Sequence, residues 1–315
     1  MQKDLLKYLM VLIFFFSSWH IGSATPSNQH PVKTGIFIDH IYQVNLANQS
    51  ADVIFWAWAV HQDQYPIGER FELMNTTNMT ILHHRKDSIP GTNKVRELFH
   101  IRATIIQNWH FYRFPFGHHQ LKIRIENHDR SNAWHMVPDF KNSGYQKHLT
   151  IPGWDIINTK LSTSTEQYHS NFGLPGNNTS RYQALEYTLD IGHTNIHWLI
   201  HIFGMLILAL FLTLCVFIVP IDDLKSRIAL LTGAIFAVVG NKIATDGLLP
   251  PLSIMTILDK IQIATIVYMA LTLVVILALL YTHQKNQRYS KWFNAISGTI
   301  VIGLMLMTNI YYLWF

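Results

Sequence analysis

Histidine is the residue type whose numbers in this chain most suggest chemistry. The sequence holds 18 histidines, and 14 of them lie between Thr25 and Asn195. An imidazole side chain titrates between about pH 5 and 8, so a region this rich in histidine can sense the surrounding proton concentration. Two interpretations of these residues remain open, namely proton sensors and surface histidines without a role.

The sequence offers little evidence of a catalytic or metal-binding motif. The adjacent pairs His83-His84 and His118-His119 do not predict a metal site, because neighbours on a strand point to opposite faces of the sheet. The chain has no Gly-x-Ser-x-Gly turn and no His-Glu-x-x-His helix. Its one cysteine, Cys215, lies in an apolar run that suits a nucleophile poorly. We expect no enzyme activity, no cofactor and no metal; a metal-dependent membrane enzyme would rest on the histidine count alone.

The stretch from Arg227 to Pro250 has the length of a membrane helix but an unusual surface. About 22 residues at roughly 1.5 Å each span about 33 Å, enough to cross a bilayer core. Gly233, Gly240 and Gly247 recur at seven-residue spacing and therefore share one face. The stripe on this face consists of Ala229, Gly233, Phe236, Gly240 and Ile243.

Two interpretations of this stripe remain open. Small residues let a neighbouring helix pack closely, or they line a pore in which Phe236 forms the constriction. A register one residue earlier would bring Lys242 onto the same face, where a charge needs water or a partner. That rival face consists of Ile228, Thr232, Ile235, Val239 and Lys242.

The composition predicts a membrane protein with a sizeable polar part. Hydrophobic residues make up 49% of the 315 residues and charged residues only 14%, which is too apolar for an ordinary soluble protein. The net charge of +5 is modest, and no basic tract predicts a nucleic-acid partner. A single cysteine excludes a disulfide within the chain.

The first residues predict a secretory signal peptide at 1–24. Lys3 and Lys7 precede the apolar run Tyr8–Phe16, and small residues at Gly22 and Ala24 favour cleavage after Ala24. An uncleaved membrane anchor is the alternative.

Residues 25–195 predict an all-β sandwich. No long apolar run occurs there; short alternating or β-branched segments are separated by proline and glycine breakers, and the length of about 165 residues suits one domain. The predicted strands are Thr34–Leu46, Ala51–His61, Glu97–Phe111, Gln120–Asn127, Trp154–Leu161 and Tyr182–Ile191.

Residues 196–315 predict a bundle of four transmembrane helices. Lys285, Arg288 and Lys291 lie in the connector at 283–291, which has no acid, and Lys225 and Arg227 follow the first segment. The positive-inside rule places both connectors in the cytoplasm, and therefore the N-terminal region outside a cell (inner) membrane. The predicted segments are Trp198–Val219, Ile228–Leu249, Leu258–Tyr281 and Phe293–Phe315.

Several motifs carry a family resemblance through their order and spacing. They are GIFIDHIYQVN at 35–45, FPFGHHQLKIRIE at 114–126 and PGWDI at 152–156, and further along the chain Arg227, Phe236 and Pro250, whose spacing matches the family's second membrane helix without a gap. Together they resemble the pentameric ligand-gated ion channels. The absence of a cysteine pair and the short connector before the last segment resemble the prokaryotic branch.

The resemblance implies a homopentamer whose second helix, at about 227–250, lines a pore for ions. It implies that a small-molecule ligand or protons act on the N-terminal domain. The residues it assigns to the pore mouths are Lys225, Arg227 and Asp246, and those it assigns to ligand binding are Trp134, Tyr168, Phe172 and Tyr182. Those it assigns to coupling between the domains are Phe114, Pro115, Phe116, Gly117, His193 and Pro250.

The chain departs from the family pattern at positions that matter. Gly117 stands where the family usually has an aspartate, and His193 where it usually has an arginine. Both members of an ion pair are therefore replaced, which avoids leaving a lone buried charge. Lys225 lies where cation-selective members often carry an acid. The alternative function is a non-conducting membrane sensor or assembly module that keeps the channel fold.

Overall fold

The computed structural model describes residues 30–62, 70–128, 134–175 and 179–314. The predicted signal peptide lies outside the described residues. Within these ranges, ten strands come first and four helices follow. The strands are β1 His30–Asn45, β2 Ser50–Gln62, β3 Phe71–Leu73, β4 Thr76–Ser88, β5 Lys94–Ile106, β6 His119–Asn127, β7 Trp134–Pro138, β8 Gly144–Tyr145, β9 Asp155–Tyr168 and β10 Ser180–Gly192.

The strands form two sheets that share one hydrophobic core. One sheet has the order β4-β5-β2-β1-β7, with β8 also paired to β1, and the other has the order β3-β6-β10-β9. In the second sheet Leu121 pairs with Leu189, and Ile125 pairs with Leu185. These side chains meet Phe55 and its neighbours from the first sheet in a single buried cluster. Alternating apolar residues on both sheets thus produce the predicted β-sandwich.

All six predicted strands are present, and four further strands were not predicted. The longest of these is β4, whose residues 77–86 are all exposed. Exposure on both faces removes the alternation by which a half-buried strand is recognised.

The four helices are each long and apolar enough to cross a membrane. Polar caps set where three of them begin: Asn195 accepts from the amide of His197, Asp223 accepts from the amide of Ser226, and Thr256 forms a capping box. The helices are α1 Ile196–Ile218, α2 Leu224–Asp246, α3 Ile257–Lys285 and α4 Gln287–Trp314.

Arg227 anchors the start of α2 to the end of α1. Its side chain is 1% exposed and donates to the carbonyl of Val219 at 2.6 Å and to Asn294 Oδ1 at 2.9 Å. Asn294, on α4, donates in turn to the Phe217 carbonyl at 2.9 Å. The last carbonyls of a helix lack partners within it, and Arg227 and Asn294 satisfy them here. The structure therefore places Arg227 inside the bundle, whereas Lys225 is exposed.

Helix α4 packs on α1 through a glycine that has no room for a side chain. A Cβ at Gly298 would lie 2.9 Å from Cγ of Phe217, whereas a Cβ at Gly303 meets nothing within 4 Å. We predict that Gly298→Ala lowers the stability of the bundle by about 1–3 kcal/mol through overpacking. Gly303→Ala, in the same helix, should be neutral or stabilising by up to about 1 kcal/mol. Thermal unfolding in detergent measures both; equal melting temperatures would contradict this account of the packing.

Candidate functional site

Helix α2 is covered on one side only. Leu231, Ala234 and Val238 are buried against the rest of the chain, whereas Phe236 and Ile243 are each 70% exposed. At 100° per residue, Phe236 lies about 160° around the helix from both Ala234 and Val238. The exposed side of α2 is therefore centred on Phe236.

The predicted stripe coincides with the middle of this exposed side. Ala229 and Gly240 are exposed like Phe236 and Ile243, and Gly233 is half-buried. A Cβ at Gly233 would lie 3.7 Å from Leu212 of α1, and one at Gly240 meets nothing within 4 Å. The rival face lies to one flank: Ile228, Thr232 and Val239 are exposed, but Ile235 and Lys242 are half-buried.

Lys242 has two carboxylate partners, which turn it away from the exposed side. Its ammonium group lies 2.5 Å from Asp246 Oδ1 and 2.6 Å from Asp259 Oδ1 at the start of α3. Asp246 is exposed, as expected for a residue at the pore mouth, but it is already paired with Lys242. Pro250, beyond the end of α2, is half-buried in the connector to α3.

A buried amide network holds the opposite side of α2. Asn241 Nδ2 donates to the Ile202 carbonyl of α1 at 2.7 Å. Gln262 Nε2 of α3 donates to Asn241 Oδ1 at 2.7 Å and to Thr245 Oγ1 at 3.1 Å. Asn241, Thr245 and Gln262 are all buried, so the network fixes α2 in rotation against both neighbours.

Three of the four predicted ligand-binding residues form one aromatic cluster near the tip of the β9–β10 hairpin. The ring centroids of Tyr168 and Phe172 are 5.6 Å apart, and those of Tyr168 and Tyr182 are 5.8 Å apart. His128 stacks on Tyr182 at 4.8 Å. Phe172 is exposed. The fourth residue, Trp134, lies in the sandwich core against Phe71 and is only 2% exposed.

The aromatic cluster stands on a buried carboxylate. Glu126 is fully buried and accepts from the Tyr168 hydroxyl at 2.9 Å. Burial, together with this carboxylate, raises the pKa of Tyr168 to about 12, so the phenol stays protonated. Arg124 pairs with Glu126, and His128 Nε2 lies 2.9 Å from Glu72. The carboxylates here are thus already paired, and it is the exposed aromatic ring that suits a cationic ligand.

The loop at 114–117 joins the sandwich to the helices. Phe114 and Pro115 are buried, and their peptide bond is cis. The Phe114 ring meets Trp198 of α1 edge-on at 6.2 Å, and the exposed Phe116 stacks on Phe203 at 5.8 Å. Gly117 is half-buried.

The backbone of this loop is bound to α3. The amide of Ile257 donates to the Tyr112 carbonyl at 3.1 Å, and the amide of Leu258 donates to the Phe114 carbonyl at 3.4 Å. The family resemblance implies contact between this loop and residues 248–254, in the connector from α2 to α3. Leu248 and Leu249 do share the apolar cluster at this level, but the hydrogen bonds go to the first turn of α3.

His193 lies between two tryptophans at this junction. Its ring centroid is 3.8 Å from that of Trp154 and 3.9 Å from that of Trp198. Nδ1 donates to the Gly153 carbonyl at 2.5 Å, since a carbonyl only accepts. Nε2 is buried without a hydrogen-bond partner in the described part of the chain. An aromatic stack therefore occupies the place where the family resemblance implies an ion pair.

A buried histidine, His119, packs beside this stack. Its ring lies 5.5–5.6 Å from the rings of Trp109, Phe111 and Trp154. Burial, with smaller contributions from the charges of His193 and His118, lowers the pKa of His119 to about 4. Burial also lowers the pKa of His193, against the opposing effects of the Gly153 carbonyl and Asp155.

The remaining histidines do not assemble a metal centre in the residues that the structure describes, where no suitable group of three His, Cys, Asp or Glu side chains occurs. Comparison of the chain with protein-family models and with curated proteins gave no match. The sequence motifs and this geometry are therefore what the functional proposal rests on.

The amide network around Asn241 and the stack of His193 on Trp198 were not predicted from the sequence. Asn241 was visible as a polar residue in an apolar segment, a signal of a buried partner. Gln262 gave the same signal in α3. The stack between His193 and Trp198 joins residues five apart across a helix start, and no pattern of spacing reveals it.

The lowered pKa values predict that acid weakens the junction. When the junction is closed, His119 takes up a proton only at about pH 4; when the junction opens to water, it does so at the ordinary histidine pKa of 6.5. Between these two pH values the opened junction therefore binds a proton that the closed junction excludes. The closed form therefore loses stability as pH falls through this window, by about 2 kcal/mol at pH 4.5 from His119 alone. His119→Phe, among aromatic neighbours, should reduce the fall in melting temperature between pH 7 and 4.5.

The matched control is His110→Phe, because His110 is exposed and should leave the pH profile unchanged. A His119→Phe protein with the same pH profile as the original chain would show that His119 does not contribute to it.

Proposed function

We propose that this chain is one subunit of a homopentameric ion channel that a small ligand or protons open. The observation that carries the proposal is the uncovered face of α2, centred on Phe236, on a helix whose other side is locked to α1 and α3. The β-sandwich followed by four membrane-length helices supports the family resemblance. The sandwich would lie outside a cell membrane, as the basic connectors indicate.

A ring of identical chains would cover this face. Small residues at positions 229, 233 and 240 gain little from contact with lipid and favour contact with protein. Identical subunits close into rings by cyclic symmetry. In such a ring α2 faces the axis, and the side chain of Phe236 is the largest near its middle.

Five phenylalanine rings at one level would form the gate. The glycine positions on either side leave the pore wide, so the Phe236 level is its narrowest apolar point. A narrow apolar ring excludes water, and the absence of water is enough to stop ions.

The aromatic cluster is the proposed ligand site. Phe172 is exposed at the tip of the hairpin, and Tyr168 and Tyr182 stand behind it over buried Glu126. The negative π-faces of these rings favour an organic cation. A neighbouring sandwich would close the open side of the cluster.

One strand connects this cluster to the junction. Tyr182 lies near the start of β10, and β10 ends one residue before His193. His193 stacks on Trp198 of α1, and the loop carrying Phe114 binds the first turn of α3. A ligand that moves β10 would therefore bias the packing of the helices, and binding would shift a closed–open equilibrium.

A non-conducting sensor with the same fold is the second candidate. The acidic residues at the start of α2 favour this candidate, because they already have hydrogen-bond partners. Asp223 caps α2, and Asp222 Oδ1 lies 2.7 Å from His283 Nε2. Lys225 is exposed beside them, so this end presents no free acidic ring to attract cations.

Recording ionic current from purified protein in bilayers tests the proposal. Phe236→Ser shortens and wets the ring, so we predict current without ligand, or opening at a lower ligand concentration. Phe211→Ser is the matched control, because Phe211 is an exposed phenylalanine on α1 and should leave gating unchanged. Silent membranes for both variants and the original chain would favour the non-conducting sensor.

Labelling with a charged thiol reagent tests the register of the same face. In a Cys215→Ser background, cysteines at 229, 233, 236 and 240 should react from the aqueous phase, and those at 231, 234 and 238 should not. Reaction at 228, 232, 235 and 239 in place of the first set would show that the register and the gate are wrongly assigned.

A further inference from the structure

A cleft of about 860 Å³ lies between the sandwich and the start of α1. Nine of the residues between 145 and 156 line it from the sandwich side, and His197, Trp198 and His201 line it from α1. We propose that this cleft binds the headgroup of an anionic phospholipid. The proposed lipid site does not depend on ion conduction along α2, because the cleft lies on α1, the helix that packs beside α2.

The side chains of the cleft favour a negative charge. Lys147, His197 and His201 all line it, and within the described residues none of their side chains has a hydrogen bond or an ion pair. The acid in the lining, Asp155, accepts hydrogen bonds from the amide and the hydroxyl of Thr194. A phosphate would supply the acceptor that the Lys147 ammonium group and the imidazole N–H groups lack.

The cleft lies at the level of the membrane surface. Helix α1 begins at Ile196 and is long enough to cross the bilayer, so its first two turns lie where headgroups are found. Trp154 and Trp198 line the cleft at the same level. Tryptophan is enriched at this depth because its ring is apolar and its N–H is polar.

The surface below the cleft is apolar and open. Met205 and Leu208 follow His201 at spacings of four and seven residues, which places them on the same face of α1. Both are exposed. The basic cleft thus continues into a surface for acyl chains, so a lipid fits it better than a free phosphate ion, which would leave that surface without an occupant.

Occupation of the cleft would act on the junction. Trp154 and Trp198 line the cleft and also hold the ring of His193 between them. A bound headgroup therefore contacts the residues that connect β10 to α1.

Lipid retention by the full-length protein tests the proposal. Protein is exchanged into vesicles of equal parts phosphatidylglycerol and phosphatidylcholine, extracted in mild detergent, and examined for bound lipid by native mass spectrometry. We expect enrichment of phosphatidylglycerol, reduced at least about fivefold by the double variant Lys147→Gln/His201→Gln, since the loss of one lysine near an anionic membrane surface alone corresponds to about 1 kcal/mol, a factor of about five.

Two control variants separate charge from fold. Lys141→Gln removes an exposed lysine of the sandwich that does not line the cleft, and this variant should retain phosphatidylglycerol like the original chain. Lys147→Arg keeps the charge and should do the same. Unchanged enrichment in the double variant would overturn the site, as would equal retention of the two lipids. Displacement of phosphatidylglycerol by millimolar inorganic phosphate would assign the cleft to a free anion.

Discussion

The orientation of α2 depends on polar groups that water cannot reach inside a membrane. Asn241 and Gln262 are buried amides, and a buried amide without a partner is costly in an apolar environment. Asn241 reaches the Ile202 carbonyl, and Gln262 reaches Asn241. These bonds fix one side of α2 against α1 and α3. The side that carries Phe236 is thereby turned outward, and the proposed pore follows from this constraint.

The two ends of α2 are fixed by charges in different ways. At one end Arg227 is buried and binds the last carbonyls of α1. At the other end Lys242 pairs with Asp259 at the start of α3. The junction above uses aromatic stacking around His193 and carbonyl contacts from the loop at Phe114. Stacking needs no desolvated ion pair, which explains how the chain dispenses with the charges that the family resemblance implies.

Much of the fold was predictable from the sequence, because long apolar segments and alternating strands follow simple periodicities. The exposed strand β4 was not, since it shows no alternation. In the candidate site, the stripe through Phe236 was predictable from glycine spacing. Trp134 was predicted to bind ligand, yet it lies in the sandwich core; aromatic residues in cores and in binding sites look alike in sequence. The inward turn of Arg227 depends on Asn294, 67 residues away, and no local pattern reports such a contact.

A pore lined by α2 requires that other copies of the chain cover the outward face of this helix. The most direct test is the mass of the purified protein in mild detergent, measured by native mass spectrometry. Closure into a ring predicts a single species of five chains that persists on dilution. A monodisperse monomer would contradict the account, because the face centred on Phe236 would then be exposed to lipid and could enclose no pore.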